Sequence, residues 1–188
     1  MAPELAYVFW HWPRLGASAA AYEGKLRSFQ SALRAARPDL VADLLSYRVG
    51  PLPWGPKDRQ LYEDWYLVED FAALGSLNDA AVAGEIKDLH DSVAADYLKG
   101  AGGVFKRILG SLPLGEAGYA TWIEKVVGTP YRSYYDEVAE LLGNGGSDLW
   151  RRQMVLGPSP QFCVHSVKPV SFPVRFRPFS AKVKALTR

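Results

Sequence analysis

Apolar and polar positions along the chain alternate between two periods, and the switches mark its elements. Residues 5–12, Leu-Ala-Tyr-Val-Phe-Trp-His-Trp, form an apolar, aromatic run that Pro13 ends, which predicts a strand. From Ser18 to Ala36 the apolar residues Tyr22, Leu26, Phe29 and Leu33 recur at helical spacing, with Ser18 placed to cap the helix and Pro38 just past its end. Residues 42–49 predict a second strand. Residues 50–58 hold three prolines and two glycines and read as an irregular loop. Residues 60–69, Gln-Leu-Tyr-Glu-Asp-Trp-Tyr-Leu-Val-Glu, predict a third strand. A short helical turn near 71–77 is expected next, then a longer helix over about 80–98. Gly100, Gly102 and Gly103 read as its C-terminal stop, and 104–109 as one more helical turn.

The pattern then returns. Tyr7-Val8-Phe9-Trp10 is echoed 112 positions later by Tyr119-Ala120-Thr121-Trp122, and at the same offset Tyr22 falls on Tyr134, Leu26 on Val138 and Phe29 on Leu141. Val49-Gly50-Pro51-Leu52-Pro53 recurs as Leu156-Gly157-Pro158-Ser159-Pro160 at an offset of 107. The second copy reads as strand 118–127, helix 130–142, strand 148–156 and strand 161–167. Internal repetition fixes architecture before any motif does. It predicts an α+β fold of two tandem ferredoxin-like halves, 1–110 and 111–188. The apolar open sheet face of each half must be covered, and two such faces can cover one another.

Element order and the run Tyr62-Glu63-Asp64-Trp65-Tyr66-Leu67-Val68-Glu69-Asp70-Phe71, followed by Asn78-Asp79 and a helix carrying His90, resemble the dimeric α+β barrel superfamily. That group includes antibiotic-biosynthesis monooxygenase-like, EthD-like and NIPSNAP-like proteins. The resemblance covers 7–98 well and 118–167 weakly, and it implies a pseudo-dimeric barrel within one chain. It further implies a cavity for an apolar or aromatic small molecule between two sheets. Some members bind haem through a histidine on the corresponding helix, which makes haem at His90 a second reading.

Composition narrows the classes. Apolar residues make up 48% and charged ones 22%, an ordinary balance for a globular chain. Six Trp and ten Tyr favour large buried rings or an aromatic-lined cavity. A net charge of +2 points neither to nucleic acid nor to a membrane surface, and no apolar run approaches the roughly 18 residues a span needs. A single cysteine, Cys163, rules out an internal disulfide. With no signal peptide expected from the N-terminal pattern, the cytoplasm is the default location, and a homodimer is compatible with all of this. The last 21 residues, Lys168–Arg188, carry six basic and no acidic side chains, leaving −4 on the rest of the chain. They read as a segment packed by charge on an acidic body, anchored by Phe172, Phe176 and Phe179, with Val174–Arg177 suited to an edge strand. Binding of an anionic partner is the other reading.

Candidate chemistry centres on a few residues. On the first strand His11 shares a face with Tyr7 and Phe9. On the third, Tyr62, Asp64, Tyr66 and Val68 share one face and Glu63, Trp65, Leu67 and Glu69 the other. If the His11 and Asp64 faces both point into the barrel, His11, Asp64 and Tyr66 form a cluster able to activate a substrate proton. Otherwise that face is solvated and Trp10 and Trp12 form the core. On a helical wheel of about 100° per residue, His90 falls within an apolar stripe, as a haem ligand, a base or a core-edge histidine. His11, His90 and His165 lack the spacing of a metal site, so no metal is expected. Cys163 and His165, two residues apart on one strand face, are a weaker nucleophile pair. Three function classes follow: an enzyme or binder of an apolar or aromatic small molecule, monooxygenase-like by resemblance and without a cofactor; a haem protein using His90; or a non-catalytic stress-related or interaction scaffold.

Overall fold

A computed structural model describes residues 5–153 and 157–186. Among the described residues eight strands close into one antiparallel barrel: β1 (Leu5–Pro13), β2 (Asp43–Val49), β3 (Leu61–Val68), β4 (Tyr97–Gly110), β5 (Tyr119–Ile123), β6 (Ser147–Arg152), β7 (Phe162–Ser166) and β8 (Phe179–Ala185). Their order around the barrel is β1-β3-β2-β8-β5-β7-β6-β4. The first four strands in sequence run 4-1-3-2 side by side, and the last four repeat that order as 8-5-7-6. The β2–β8 and β4–β6 pairings seal the two sheets into a barrel. The described helices are α1 (Ala19–Ala36), α2 (Phe71–Ala81), α3 (Gly84–Ala94) and α4 (Tyr131–Leu142), all outside the barrel.

The period-2 pattern explains which residues line the barrel. Ala6, Val8 and Trp10 of β1, Leu45 and Tyr47 of β2, Trp65 and Leu67 of β3, and Ala120 and Trp122 of β5 pack into one interior cluster. Large rings fill the centre. Trp10 meets Trp122 with centroids 5.4 Å apart, Trp65 meets Trp150 at 5.1 Å, and Trp54 reaches in from the 50–58 loop to lie 5.2 Å from Trp122. Glu63 is fully buried here and accepts both the Trp10 and Trp65 indole N–H groups, at 2.5 and 2.7 Å. The space between the two sheets is therefore packed, and the expected inter-sheet cavity is replaced by a tryptophan core.

Four further expectations are corrected. The turn expected near 71–77 is a full helix to Ala81, and the helix expected over 80–98 is confined to Gly84–Ala94, with Tyr97 and Leu98 already in β4. Asp70 caps α2 by accepting the Ala73 N–H, and the chain turns at 82–83 and restarts as α3 from Gly84, whose φ of +54° suits glycine. The glycines at 100, 102 and 103 are not a helix stop, and 104–109 is not a helical turn, because all lie within β4. A Cβ at Gly100 would sit 2.5 Å from the Trp10 carbonyl oxygen and 2.8 Å from the Phe9 ring, and one at Gly102 would sit 2.7 Å from the Tyr7 hydroxyl. Glycine is used there so that the Tyr7 and Phe9 rings can lie across the strand. Third, Val174–Phe176 is a 3-10 turn rather than an edge strand, and the strand of the basic segment is β8, which closes the barrel. Fourth, β6 ends at Arg152 and Gln153 follows outside the strand, whereas residues 154–156 of the predicted 148–156 strand lie outside the described residues.

The basic segment is packed, as its aromatics foretold. Phe172 and Phe176 are buried with Tyr134 and Val138 beneath α4, and Phe179 packs against the interior cluster. Its charges also meet the body, Arg175 at Glu137 and Arg177 at Glu124.

Candidate functional site

Because Trp10, Glu63 and Trp65 point inward, their sequence neighbours on β1 and β3 point outward, beneath α1 and α3. This is where His11 and Asp64 meet. The condition set from sequence, that both faces point into the barrel, is not met: Trp10 takes the core, and His11 and Asp64 meet on the outer face of the sheet, which is covered rather than solvated, His11 being 1% and Asp64 2% exposed. Phe9 of β1 is the direct cross-strand partner of Asp64, and Tyr62 that of His11. The His11 ring is stacked between Phe9 and Tyr62, at centroid distances of 5.2 and 5.6 Å.

Hydrogen bonds fix the pair. Tyr22 of α1 lies with its hydroxyl 2.6 Å from His11 Nδ1. Burial, with Asp64 as a second cause, pushes the Tyr22 phenol well above its ordinary range, so its O–H is retained as a donor. His11 Nδ1 is then the acceptor, and a ring hydrogen belongs on Nε2, which lies 3.2 Å from Asp64 Oδ1. That contact is within ion-pair reach but off the line of a good hydrogen bond. Asp64 Oδ1 also accepts from the Ser46 hydroxyl, which in turn accepts from Gln30 Nε2 at 2.5 Å. Asp64 Oδ2 accepts a long bond from the Tyr66 hydroxyl, 3.3 Å. Behind Tyr62, Glu23 accepts its hydroxyl at 2.9 Å and is clamped by Arg48 at 2.5 and 2.6 Å, an arrangement that holds the Glu23 carboxyl below its usual range.

A cavity of about 840 Å³ opens on this network. Its floor is the outer face of β1 and β3, including Tyr7, Phe9, His11, Asp64 and Tyr66, and its walls are α1, α2 and α3. His11, Asp64, Tyr66 and His90, the site residues expected from sequence, all line it. His90 is at the rim, with a side chain 40% exposed, Nδ1 3.2 Å from Asp91 and its ring edge-on to Phe29. The Tyr7 and Tyr66 phenols are raised by burial first and then by Asp64, so both remain O–H donors beside the carboxylate. Sequence reasoning assigned no role to Tyr22, Ser46, Gln30 or Asp79. Tyr22 sits in a helical apolar stripe that reads as core, and only the strand–helix packing shows its hydroxyl directed at an imidazole.

Cys163 and His165 go elsewhere. Both point into the barrel, Cys163 fully buried with its thiol pushed up by desolvation, which makes it a poor nucleophile. Among the described residues no three His, Cys, Asp or Glu side chains group as a metal site, and no helix is long and apolar enough to cross a membrane.

Solved structures share this architecture. A "putative monooxygenase" from Fusobacterium nucleatum subsp. nucleatum ATCC 25586 aligns over 99% of the chain and 94% of its own length, with a TM-score of 0.62 and 7% identity. A "putative monooxygenase" from Lactobacillus acidophilus NCFM aligns over 97% and 94%, with a TM-score of 0.57 and 8% identity. An anthrone oxidase-like protein aligns over 100% and 94%, with a TM-score of 0.53 and 10% identity. The fold is the dimeric α+β barrel, closed within one chain. No family model matches the sequence, and no curated protein matches it.

Within this dimeric α+β barrel the site lies on the first half. Setting Trp122 on Trp10, the strand registers place Ile123 at the position of His11, Val164 at that of Asp64, Phe162 at that of Tyr62 and Leu149 at that of Ser46. All four are buried in an apolar cluster that Phe172 and Phe176 complete. In the second half, aromatic side chains of the basic segment lie where the first half has a cavity under α2 and α3.

Proposed function

We propose that this chain is an enzyme acting on a flat apolar or aromatic molecule held between β1–β3 and α1–α3, and that Asp64, backed by His11, removes a proton from it. The observation that carries this reading is the buried Asp64–His11–Tyr22 chain opening onto a cavity of about 840 Å³. Asp64 lines the cavity and its Oδ2, with only the long Tyr66 bond, is the less engaged of its two oxygens, so it takes the proton. His11 and Ser46 hold the carboxylate from the other oxygen and spread the charge change. The electron pair left on the substrate moves onto a ring oxygen, where the Tyr7 and Tyr66 hydroxyls are placed to donate.

A monooxygenase-like outcome follows if dioxygen then collects the electrons. A benzylic methylene becomes a carbonyl: both of its C–H bonds break and a carbon–oxygen double bond forms. One atom of dioxygen is retained in that carbonyl, and the other leaves as water with the two hydrogens, so the substrate is oxidised and dioxygen reduced. The fold shared with an anthrone oxidase-like protein makes anthrone a suitable probe. We expect oxygen uptake with anthrone, measured at an electrode, to fall by about 100-fold or more in Asp64→Asn, the range for a lost general base. Uptake by Asp64→Asn equal to that of the unaltered protein would remove Asp64 from the chemistry.

The residues fit haem poorly. His90 lines the cavity, but the described lining also contains Asp64 and Asp79 and neither Lys nor Arg, so the carboxylates of a haem would find like charge and no basic partner there. No step is assigned to it. A purely structural scaffold, the third class, gives no reason to bury a carboxylate and an imidazole beside an open cavity.

A further inference from the structure

We infer that the cavity selects its ligand by charge, admitting an aromatic molecule that carries an amino or ammonium group and rejecting an aromatic carboxylate of the same shape. The inference rests on the reading that this cavity holds an aromatic small molecule, and it goes further by naming which end charge that molecule carries. Among the described lining residues two carboxylates face the space, Asp64 at its floor and Asp79 at its wall on α2. No lysine or arginine is among them, and the imidazoles there are those of His11 and His90. The basic side chains nearby are turned to other acids: Arg14 and Lys25 both meet Asp96, at 3.0 and 2.6 Å, and Lys87 meets Asp91.

Ring faces supply the second half of the argument. Tyr7 and Phe9 are stacked with centroids 6.3 Å apart, and each has a tilted neighbour, Tyr66 at 6.0 Å from Tyr7 and Tyr97 at 6.0 Å from Phe9. All four rings line the cavity, and an aromatic face carries the negative electrostatic potential that attracts ammonium groups and repels carboxylates. Asp79 is exposed and bonded weakly to its neighbour Asn78, at 3.4 Å, so it is available to a ligand group entering past α2. Asp64 is buried at the floor, where the proposed function gives it the reacting proton. The floor therefore handles the reacting proton, and Asp79 with the rings reads the charge at the outer end.

Three anthracene probes of matched shape test this by calorimetric titration at pH 7: the 9-methylammonium, the 9-methanol and the 9-carboxylate. The expected order of affinity is ammonium, then methanol, then carboxylate, with about tenfold between the first and last from the ring faces and carboxylates together. In Asp79→Asn, an exposed helix position where folding is not at stake, the gap between ammonium and carboxylate should narrow by about threefold. A carboxylate probe that binds as tightly as the ammonium while all three bind would overturn charge selection and leave the pocket reading intact. A gap unchanged in Asp79→Asn would remove Asp79 from the selection. Failure of all three probes to bind would overturn the pocket reading itself.

Discussion

Asp148 sits inside the barrel as the cross-strand partner of His165, 1% exposed, with one carboxylate oxygen 3.7 Å from Arg107 Nε. Desolvation is the main cause that raises its pKa to about 6, against lowering by His165 and Arg107. A raised carboxyl binds its proton more tightly when folded, so this group's contribution is full below its unfolded value near 4 and is lost as pH rises through 6. The loss amounts to about 3 kcal/mol at most. Asp148→Asn should therefore be close to the unaltered protein in urea midpoint at pH 4 and more stable than it at pH 7. A variant less stable at both pH values would show that Arg107 pairing outweighs the burial cost. The outer-face residues were more legible than this one. His11, Asp64 and Tyr66 could be placed on common faces because strand side chains alternate with period 2, but nothing local says which face is inward. The decision is made by four tryptophans that need a dry, ring-lined space, Trp10, Trp65, Trp122 and Trp150, and that is a tertiary demand.

At the scale of elements, glycines separate what was readable from what was not. A cluster of three glycines after a helical pattern looks like a stop signal, yet Gly100 and Gly102 serve β4 by leaving room for the rings of Phe9 and Tyr7 some ninety residues earlier. Gly24 is the contrasting case, since nothing lies within 4 Å of a Cβ placed there in the middle of α1. Gly100→Ala should cost about 1–3 kcal/mol through crowding against the Trp10 carbonyl. Gly24→Ala should gain about 0.5–1 kcal/mol from helix propensity and a less free unfolded chain. Denaturant midpoints of the two variants should shift in opposite directions, and a shift of the same sign would contradict this placement of β4. Helix α1 was visible from its spacing and its Ser18 cap, and α4 from the return of that spacing at Tyr134 and Val138. β8 was not, because a basic, proline-containing stretch has a strand's identity only through the two edges it bridges, β2 and β5.

For the molecule as a whole, the repeated Tyr-x-x-Trp pattern anticipated the most. Both tryptophans face inward and touch, and the strand order of the first four strands recurs in the last four. We propose that residues 1–110 and 111–188 are two versions of one unit, of which the first keeps a polar, cavity-forming outer face and the second has filled it. The 112-residue offset already sets Ile123 against His11, but Asp64 and Val164 become comparable only once the registers are known, so the loss of the whole cluster was hidden from sequence. The account stands on where the ligand sits: outside the sheet under α1–α3, not in the tryptophan-packed barrel. The measurement that tests it most directly is a two-dimensional 1H–15N and 1H–13C NMR titration with a flat hydroxylated tricycle. The account predicts shift changes at Tyr7, Phe9, Tyr66, Leu77 and Tyr97, and unmoved indole N–H signals for Trp122 and Trp150. Changes concentrated on those interior indoles, with the outer-face signals still, would contradict it.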